Sequence, residues 1–194
     1  SYGMEELAMA IKFASESNLD LLTIDGSGGG TGMSPWNMMQ SWGVPSINLH
    51  SKAYEYASIL AGQGKRVVDM SFAGGFNLED SIFKGIALGA PFVKLICMGR
   101  ALMIPGFLGA NIEGAIHPDR RAKLNGNWEK LPASISAMGH TPDEIFASYF
   151  DVQKRVGKDE MKNIPYGAIA MWTMADKLAC GLQQLLAGAR KFQI

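Results

Sequence analysis

The chain has 194 residues, of which 47% are hydrophobic and 19% are charged, and its 18 basic residues balance 18 acidic ones. These values are typical of a globular protein and exclude a disordered chain. The zero net charge argues against a nucleic-acid partner, which normally requires a concentrated basic surface. Asp176 and Lys177 interrupt the long apolar stretch 168–186, which disfavours a membrane span.

The two cysteines, Cys97 and Cys180, lie 83 positions apart and form no metal-ligand spacing. Each follows an apolar run, so we predict two buried thiols rather than a disulfide, and no metal site. No secretory signal pattern opens the sequence. We therefore expect a cytoplasmic protein.

The first half of the chain alternates apolar helical and extended patterns. Continuous apolar runs bounded by glycine indicate strands that are covered on both faces, as in a parallel sheet. Short links between the elements imply right-handed crossovers. The spacing predicts helices over 4–15, 51–63 and 77–89, alternating with strands over 19–24, 67–72 and 92–96.

The second half is different. Residues 105–138 mix glycine, proline, asparagine and charges, which predicts a long irregular excursion. A helix is predicted to begin at Thr141-Pro142, with proline at its first position, and its inward stripe contains Ile145, Tyr149, Val152 and Val156. A last helix or helix pair covers 166–190, with Ile169, Trp172, Leu178, Leu182 and Leu185 facing a core.

Each predicted strand runs into glycine. The second strand leads to Gly74-Gly75 and the third to Gly99-Arg100, so the two sites follow neighbouring strands. Backbone amides at such strand ends, helped by the Arg100 guanidinium, are suited to binding a phosphate group. The alternative is that these glycines serve only tight turns and helix caps.

The loop after the first strand is the richest in glycine. Its candidate ligand-contacting residues are Ser27, Gly28, Gly29, Gly30, Thr31 and Gly32. Because glycine has no Cβ, this backbone could lie directly against a planar group. The hydroxyls of Ser27 and Thr31 either bond a ligand or satisfy their own turn. The run lacks the spacing of a dinucleotide fingerprint and is not a P-loop.

Three further side chains lie near the predicted strand ends. Asp25 either bonds a ligand hydroxyl or caps the loop amides. His50 precedes the second predicted helix, and a surface or capped position is favoured for it over one at the strand mouth. Core packing is the default for Trp36. The pattern assigns no catalytic residue.

These motifs together resemble the FMN domain of the glutamate synthase family. The resemblance covers roughly residues 1–105. Three motifs carry it. The first is residues 24–32 together with Ser34-Pro35, and the second runs from residues 72–77 to Gly89-Ala90. The third is Met98-Gly99-Arg100-Ala101-Leu102. It implies FMN bound at the mouth of a (β/α)₈ barrel, and the α/β fold class is then the C-terminal part of that barrel plus a C-terminal helical extension.

The resemblance further implies an FMN-dependent oxidoreductase. Ser27 to Gly32 would line the ribityl or ring side of the cofactor, and the two later glycine sites would hold its phosphate. The family carries a cysteine triplet for an iron–sulfur cluster beyond the last strand. Residues 100–109 contain no cysteine, so we expect no cluster here.

About three strands are present, whereas a barrel has eight. We therefore expect residues 1–104 to be a partial barrel and residues 105–194 to pack on it. The missing N-terminal half would be in the same polypeptide or a separate subunit, and open sheet edges favour a homo-oligomer. The segment alone would be inactive. Two alternatives stay open: a phosphate-ligand barrel of isomerase or aldolase type, and a non-catalytic half-barrel module.

Overall fold

The computed structural model describes residues 3–28 and 35–191. The chain divides into two compact units: residues 1–98 together with 185–194, and residues 99–184. A boundary between two domains was predicted from the sequence after residue 104. Whether two domains fold independently there stays a prediction.

The first unit contains a three-stranded parallel sheet. Its strands are β1 (Leu21–Asp25), β2 (Asp69–Ala73) and β3 (Val93–Ile96), in the spatial order β1-β2-β3. Ile24 pairs with Phe72, and Phe72 pairs with Ile96 on its other side. The predicted α/β class and the three parallel strands are confirmed, with strand boundaries shifted by one or two residues.

Helices alternate with these strands: α1 (Met4–Glu16), α2 (Trp36–Gln40), α3 (Ser46–Gly62) and α4 (Glu79–Gly89). Strand side chains on one face of the sheet pack against α1 and α3 and form the core of the unit. The buried members of that core are Leu7, Ile11, Ala14, Ile24, Leu49, Ala53, Ala57, Val68, Met70, Phe72 and Val93.

The opposite face of the sheet is different. Thr23 and Ser71 meet there at 2.6 Å between their hydroxyl oxygens. Leu95 pairs with Ser71 in the register and is 52% exposed, and Leu21 is 43% exposed. Apolar side chains therefore remain in contact with solvent on this face.

The start of α3 differs from the prediction. The helix begins at Ser46 rather than Ser51, because Pro45 (φ −52°) accepts the first two helical hydrogen bonds, from Asn48 and Leu49. Proline has its φ preset for this position. His50 consequently lies inside the helix, one turn after Ser46, and not before it.

The second unit is helical in the part that the structure describes. Its helices are α5 (Arg100–Ile116), α6 (Ala133–Ser136), α7 (Pro142–Ile145), α8 (Tyr149–Val156), α9 (Lys158–Met161) and most of α10 (Tyr166–Gly188). The predicted helix start at Thr141-Pro142 is confirmed. The single helix predicted from this start is divided into α7 and α8, because Phe146 leaves the helical conformation with ψ 111°.

Helix α5 replaces the start of the predicted irregular excursion. Its glycines and Pro105 disfavour a helix in isolation. However, α10 approaches so closely that a Cβ on Gly109 would lie 2.5 Å from the Tyr166 carbonyl oxygen, and one on Gly167 would lie 2.7 Å from the Gly106 carbonyl oxygen. The glycines that lower helix propensity here are what allow the two helices to pack.

Glu113 connects the same two helices. It is 4% exposed; one carboxylate oxygen accepts a hydrogen bond from the Tyr166 backbone N–H at 2.8 Å, and the other is 3.3 Å from the Arg120 guanidinium. A carboxylate at a helix N-terminus satisfies an amide that has no partner within the helix. Glu113 therefore caps α10 from the interior of the unit.

Several predictions of burial were wrong. Val156, expected on an inward stripe, is 39% exposed. Cys97 and Cys180 are both free, as expected, but both are exposed. Trp172, expected to face a core, is 39% exposed and lies under the Arg155 guanidinium at 5.0 Å. Among the described residues, no helix is long and apolar enough to cross a membrane.

Replacing Met70 should test the core of the first unit. Met70 is fully buried on the central strand, so Met70→Ala is expected to lower the free energy of unfolding by about 2–5 kcal/mol. Met9 is 49% exposed on α1, and Met9→Ala should change it by less than about 0.5 kcal/mol. Urea unfolding measures both; equal effects would contradict the assigned core.

Replacing Glu113 should test the cap in the second unit. Glu113→Ala leaves the Tyr166 amide and Arg120 without this partner, which should cost about 1–3 kcal/mol. Faster hydrogen exchange of the Tyr166 amide would locate the effect at the start of α10. The control is Glu160→Ala, since Glu160 is exposed, and it should leave both measurements unchanged.

Candidate functional site

The loop after β2 presents two glycines in left-handed conformations. Gly74 has φ +106° and Gly75 has φ +80°, which side-chain-bearing residues rarely adopt. No residue that the structure describes accepts a hydrogen bond from the backbone N–H of either glycine. A Cβ on Gly75 would meet no atom within 4 Å. The loop therefore presents available donors next to open space.

The backbone N–H groups of the loop after β1 already have acceptors within the first unit. The backbone N–H groups of Gly26, Ser27 and Gly28 donate to the carbonyls of Ala73, Val44 and Met39, at 3.0, 2.7 and 2.9 Å. The Ser27 hydroxyl lies 3.4 Å from the same Met39 carbonyl. A ligand at this loop would therefore pack against the backbone and would not receive hydrogen bonds from these three N–H groups.

The two loops lie side by side. A Cβ built on Gly28 (φ +94°) would lie 3.8 Å from both the Cα and the nitrogen of Gly75. This is the convergence that parallel strands predict for neighbouring C-terminal ends. Four of the predicted site residues, Gly29, Gly30, Thr31 and Gly32, fall outside the described residues.

Gly99 and Arg100 open the second unit. Gly99 is the N-cap of α5, with φ −107° and ψ −88°, and its carbonyl accepts a hydrogen bond from Leu102 at 3.1 Å. Arg100 is the first residue of this 17-residue helix. Strand β3 ends three positions before Gly99 in the sequence.

Ser46 joins the loops and was not identified from the sequence. As the first residue of α3, it places its hydroxyl oxygen 2.8 Å from the Gly74 carbonyl oxygen and 3.1 Å from the Ser27 carbonyl oxygen. The one local signal was Pro45, which marks a helix start. The contacts themselves are 19 and 28 positions away in the chain, beyond what a local pattern reveals.

His50 is buried, so the surface alternative of the favoured surface or capped position is wrong. It is 2% exposed and stacks on Phe72, with ring centroids 3.9 Å apart and planes 4° apart. Its Nε2 lies 3.3 Å from the Ile24 carbonyl oxygen. Burial lowers the pKa of His50 below its ordinary value of 6.5, although the carbonyls of Ile24 and Ala73 and the nearby carboxylate of Asp25 act in the opposite direction.

A cavity of about 600 Å³ adjoins the Gly74-Gly75 loop. It lies between the first turns of α3 and the middle of α4, and its walls are mostly apolar. Its lining residues include Ile47, Phe76, Phe83 and Lys84 in addition to the two glycines. Lys84 is 2.9 Å from Asp80, so its charge is already paired on the surface of α4.

Two further side chains, Trp36 and Asp25, were predicted near the strand ends. Trp36 is 65% exposed, so the default of core packing was wrong for it. Asp25 ends β1 and is half-buried. Its role as ligand contact or as cap of the loop amides stays open.

The pKa of His50 predicts a pH dependence of stability. Because the folded state resists protonating this imidazole, the unfolded state binds more protons just below pH 6.5, and stability should fall as the pH drops through that value. The slope should reach at most about 1.4 kcal/mol per pH unit and level off below the folded-state pKa. His50→Gln should flatten this part of the profile.

Urea unfolding at a series of pH values measures the slope. The control is His140→Gln, because His140 is exposed and lies in the second unit. If His50→Gln and the parent protein show the same slope below pH 6.5, the burial of a neutral imidazole would be the wrong explanation.

Comparison with known proteins identifies the family. A family model described as a conserved region in glutamate synthase matches residues 3–106, which is more than half of the chain. The chain therefore belongs to the glutamate synthase family. Comparisons with curated proteins and with solved structures gave no match.

Proposed function

We propose that this member of the glutamate synthase family is the part of an FMN-dependent oxidoreductase that holds the FMN phosphate. Family membership indicates an oxidoreductase-related domain, and the family generally binds FMN. The observation that carries the proposal is the pair of available amides at Gly74 and Gly75. They lie at the C-terminal end of a parallel strand, where α/β proteins bind phosphorylated ligands.

The geometry of the loops fits a group that lies against bare backbone. A side chain on Gly75 would project into the open space that a phosphate needs, and its φ of +80° would also strain it. Gly28 lies beside it with no Cβ to fill the gap. Successive backbone N–H groups in a turn can bind an anion.

The proposed roles follow from these positions. Gly74 and Gly75 donate to phosphate oxygens. A phosphate contact by Gly99 and Arg100 stays a prediction from the sequence. Of the residues that the resemblance assigns to the ribityl or ring side, Ser27 and Gly28 are described, and Gly28 lies beside Gly75. Bound FMN supplies the capacity to accept electrons and pass them on. Residues 100–109 contain no cysteine, so this segment would supply no ligand to the family's iron–sulfur cluster.

The exposed face of the sheet favours a barrel completed by further strands. The helices α1 and α3 pack on one face, whereas Thr23 and Leu95 face solvent on the other. In a (β/α)₈ barrel the second face is the interior, filled by residues from all strands. We therefore propose that earlier strands, in the same polypeptide or in a partner, complete the barrel and supply the catalytic residues.

Flavin binding tests the proposal. The purified protein should carry or take up FMN, seen as visible absorbance and quenched flavin fluorescence. Gly75→Ala should weaken FMN binding by about tenfold or more, since a Cβ there would enter the open space proposed for the phosphate. Riboflavin binding should be unaffected because riboflavin has no phosphate.

The matched control is Gly64→Ala, because Gly64 also has a positive φ (+71°) and a Cβ there would meet no atom within 4 Å. It should leave the affinity for both flavins unchanged. A protein that binds inorganic phosphate but neither flavin would favour the isomerase or aldolase alternative. A protein that binds none of the three would refute the proposed site.

A further inference from the structure

Ser46 brings together the two loops that follow neighbouring strands. Its single hydroxyl lies within hydrogen-bond distance of a carbonyl from each loop, 2.8 Å from Gly74 and 3.1 Å from Ser27. A hydroxyl carries one proton, so it donates to one carbonyl at a time. The shorter distance favours Gly74 as its main acceptor.

The backbones around this hydroxyl are packed at contact distance. A Cβ on Gly26 would lie 2.5 Å from the Ser46 Cα, and a Cβ on Gly74 would lie 2.6 Å from the Ser46 hydroxyl oxygen. The same Cβ on Gly74 would lie 2.7 Å from the Gly26 carbonyl oxygen. Both glycines are therefore required by close approach, and no solvent-filled gap separates the three segments.

The next turn of α3 repeats the attachment. His50 follows Ser46 by four positions, so both side chains project from one face of the helix. The His50 Nε2 reaches the Ile24 carbonyl oxygen at 3.3 Å, and its ring stacks on Phe72 and Phe76. The start of α3 is thus fixed to the ends of both β1 and β2.

We propose that Ser46 is a positioning residue of the FMN site, whose hydroxyl sets the spacing between the loop after β1 and the Gly74-Gly75 loop. This inference rests on the proposed function. Its physical basis is that the two loops face each other at Gly28 and Gly75, immediately beyond the two carbonyls between which the Ser46 hydroxyl lies. A phosphate and a ribityl chain can contact both loops only while that spacing is kept.

Ser46→Ala tests the inference with two independent measurements. The first is hydrogen exchange of the Gly26 and Ser27 amides in the ligand-free protein, which are hydrogen-bonded and hence protected. Exchange there should become faster, while the Met70 amide in the sheet stays as it was. The second is the FMN dissociation constant, which should rise about tenfold, the loss of one hydrogen bond of ordinary strength.

The matched control is Ser51→Ala on the same helix. The Ser51 hydroxyl also donates to a backbone carbonyl, that of Ile47 at 2.8 Å, but it is exposed and reaches no loop. It should change neither loop exchange nor FMN affinity. Ser46→Cys keeps the volume with a weaker donor, so it should give an intermediate effect and serves if Ser46→Ala does not fold.

The outcomes separate the inference from the function on which it rests. Unchanged exchange of Gly26 and Ser27, or unchanged FMN affinity in a variant that still folds, would overturn the positioning role. If the parent protein bound no FMN, the proposed function would fall, and the positioning of an FMN site would fall with it. Loop exchange would still report whether Ser46 holds the two loops together.

Discussion

The contact among Gly26, Gly74 and the first turn of α3 is the constraint on which the first unit's candidate site depends. Two strand ends and a helix start meet there without a side chain between them, and the Ser46 hydroxyl lies near a carbonyl from each loop. Dense packing of this kind has few alternative arrangements. The loops beyond it are therefore held at a fixed separation.

The two loops differ in how their backbone N–H groups are used. The amides of Gly26, Ser27 and Gly28 already donate to carbonyls of β2 and of residues 39 and 44, whereas the amides of Gly74 and Gly75 find no acceptor among the described residues. Backbone donors that are already oriented lose little entropy when a ligand arrives, so the Gly74 and Gly75 amides suit the proposed phosphate site. The buried His50 contacts the same region, because its ring stacks on Phe72 and its Nε2 lies 3.3 Å from the Ile24 carbonyl oxygen.

The second unit shows how tertiary packing overrides local preference. Helix α5 contains glycines and a proline that would weaken it in isolation, yet it forms because α10 packs directly against its backbone. The cap supplied by Glu113 to the start of α10 adds a second long-range connection. Neither feature follows from the composition of residues 105–116, and so that segment was wrongly predicted to be irregular.

By itself, the sequence determined the α/β class and the three parallel strands, because apolar runs ending in glycine are local signals. Its motifs also resemble the family that the family model identifies. Their C-terminal ends were expected to converge, and Gly28 and Gly75 do so. Only the tertiary structure decided that Ser46 joins the loops, that His50 is buried and that both cysteines are exposed. These properties depend on residues distant in the chain, and a local pattern carries no record of which surfaces meet.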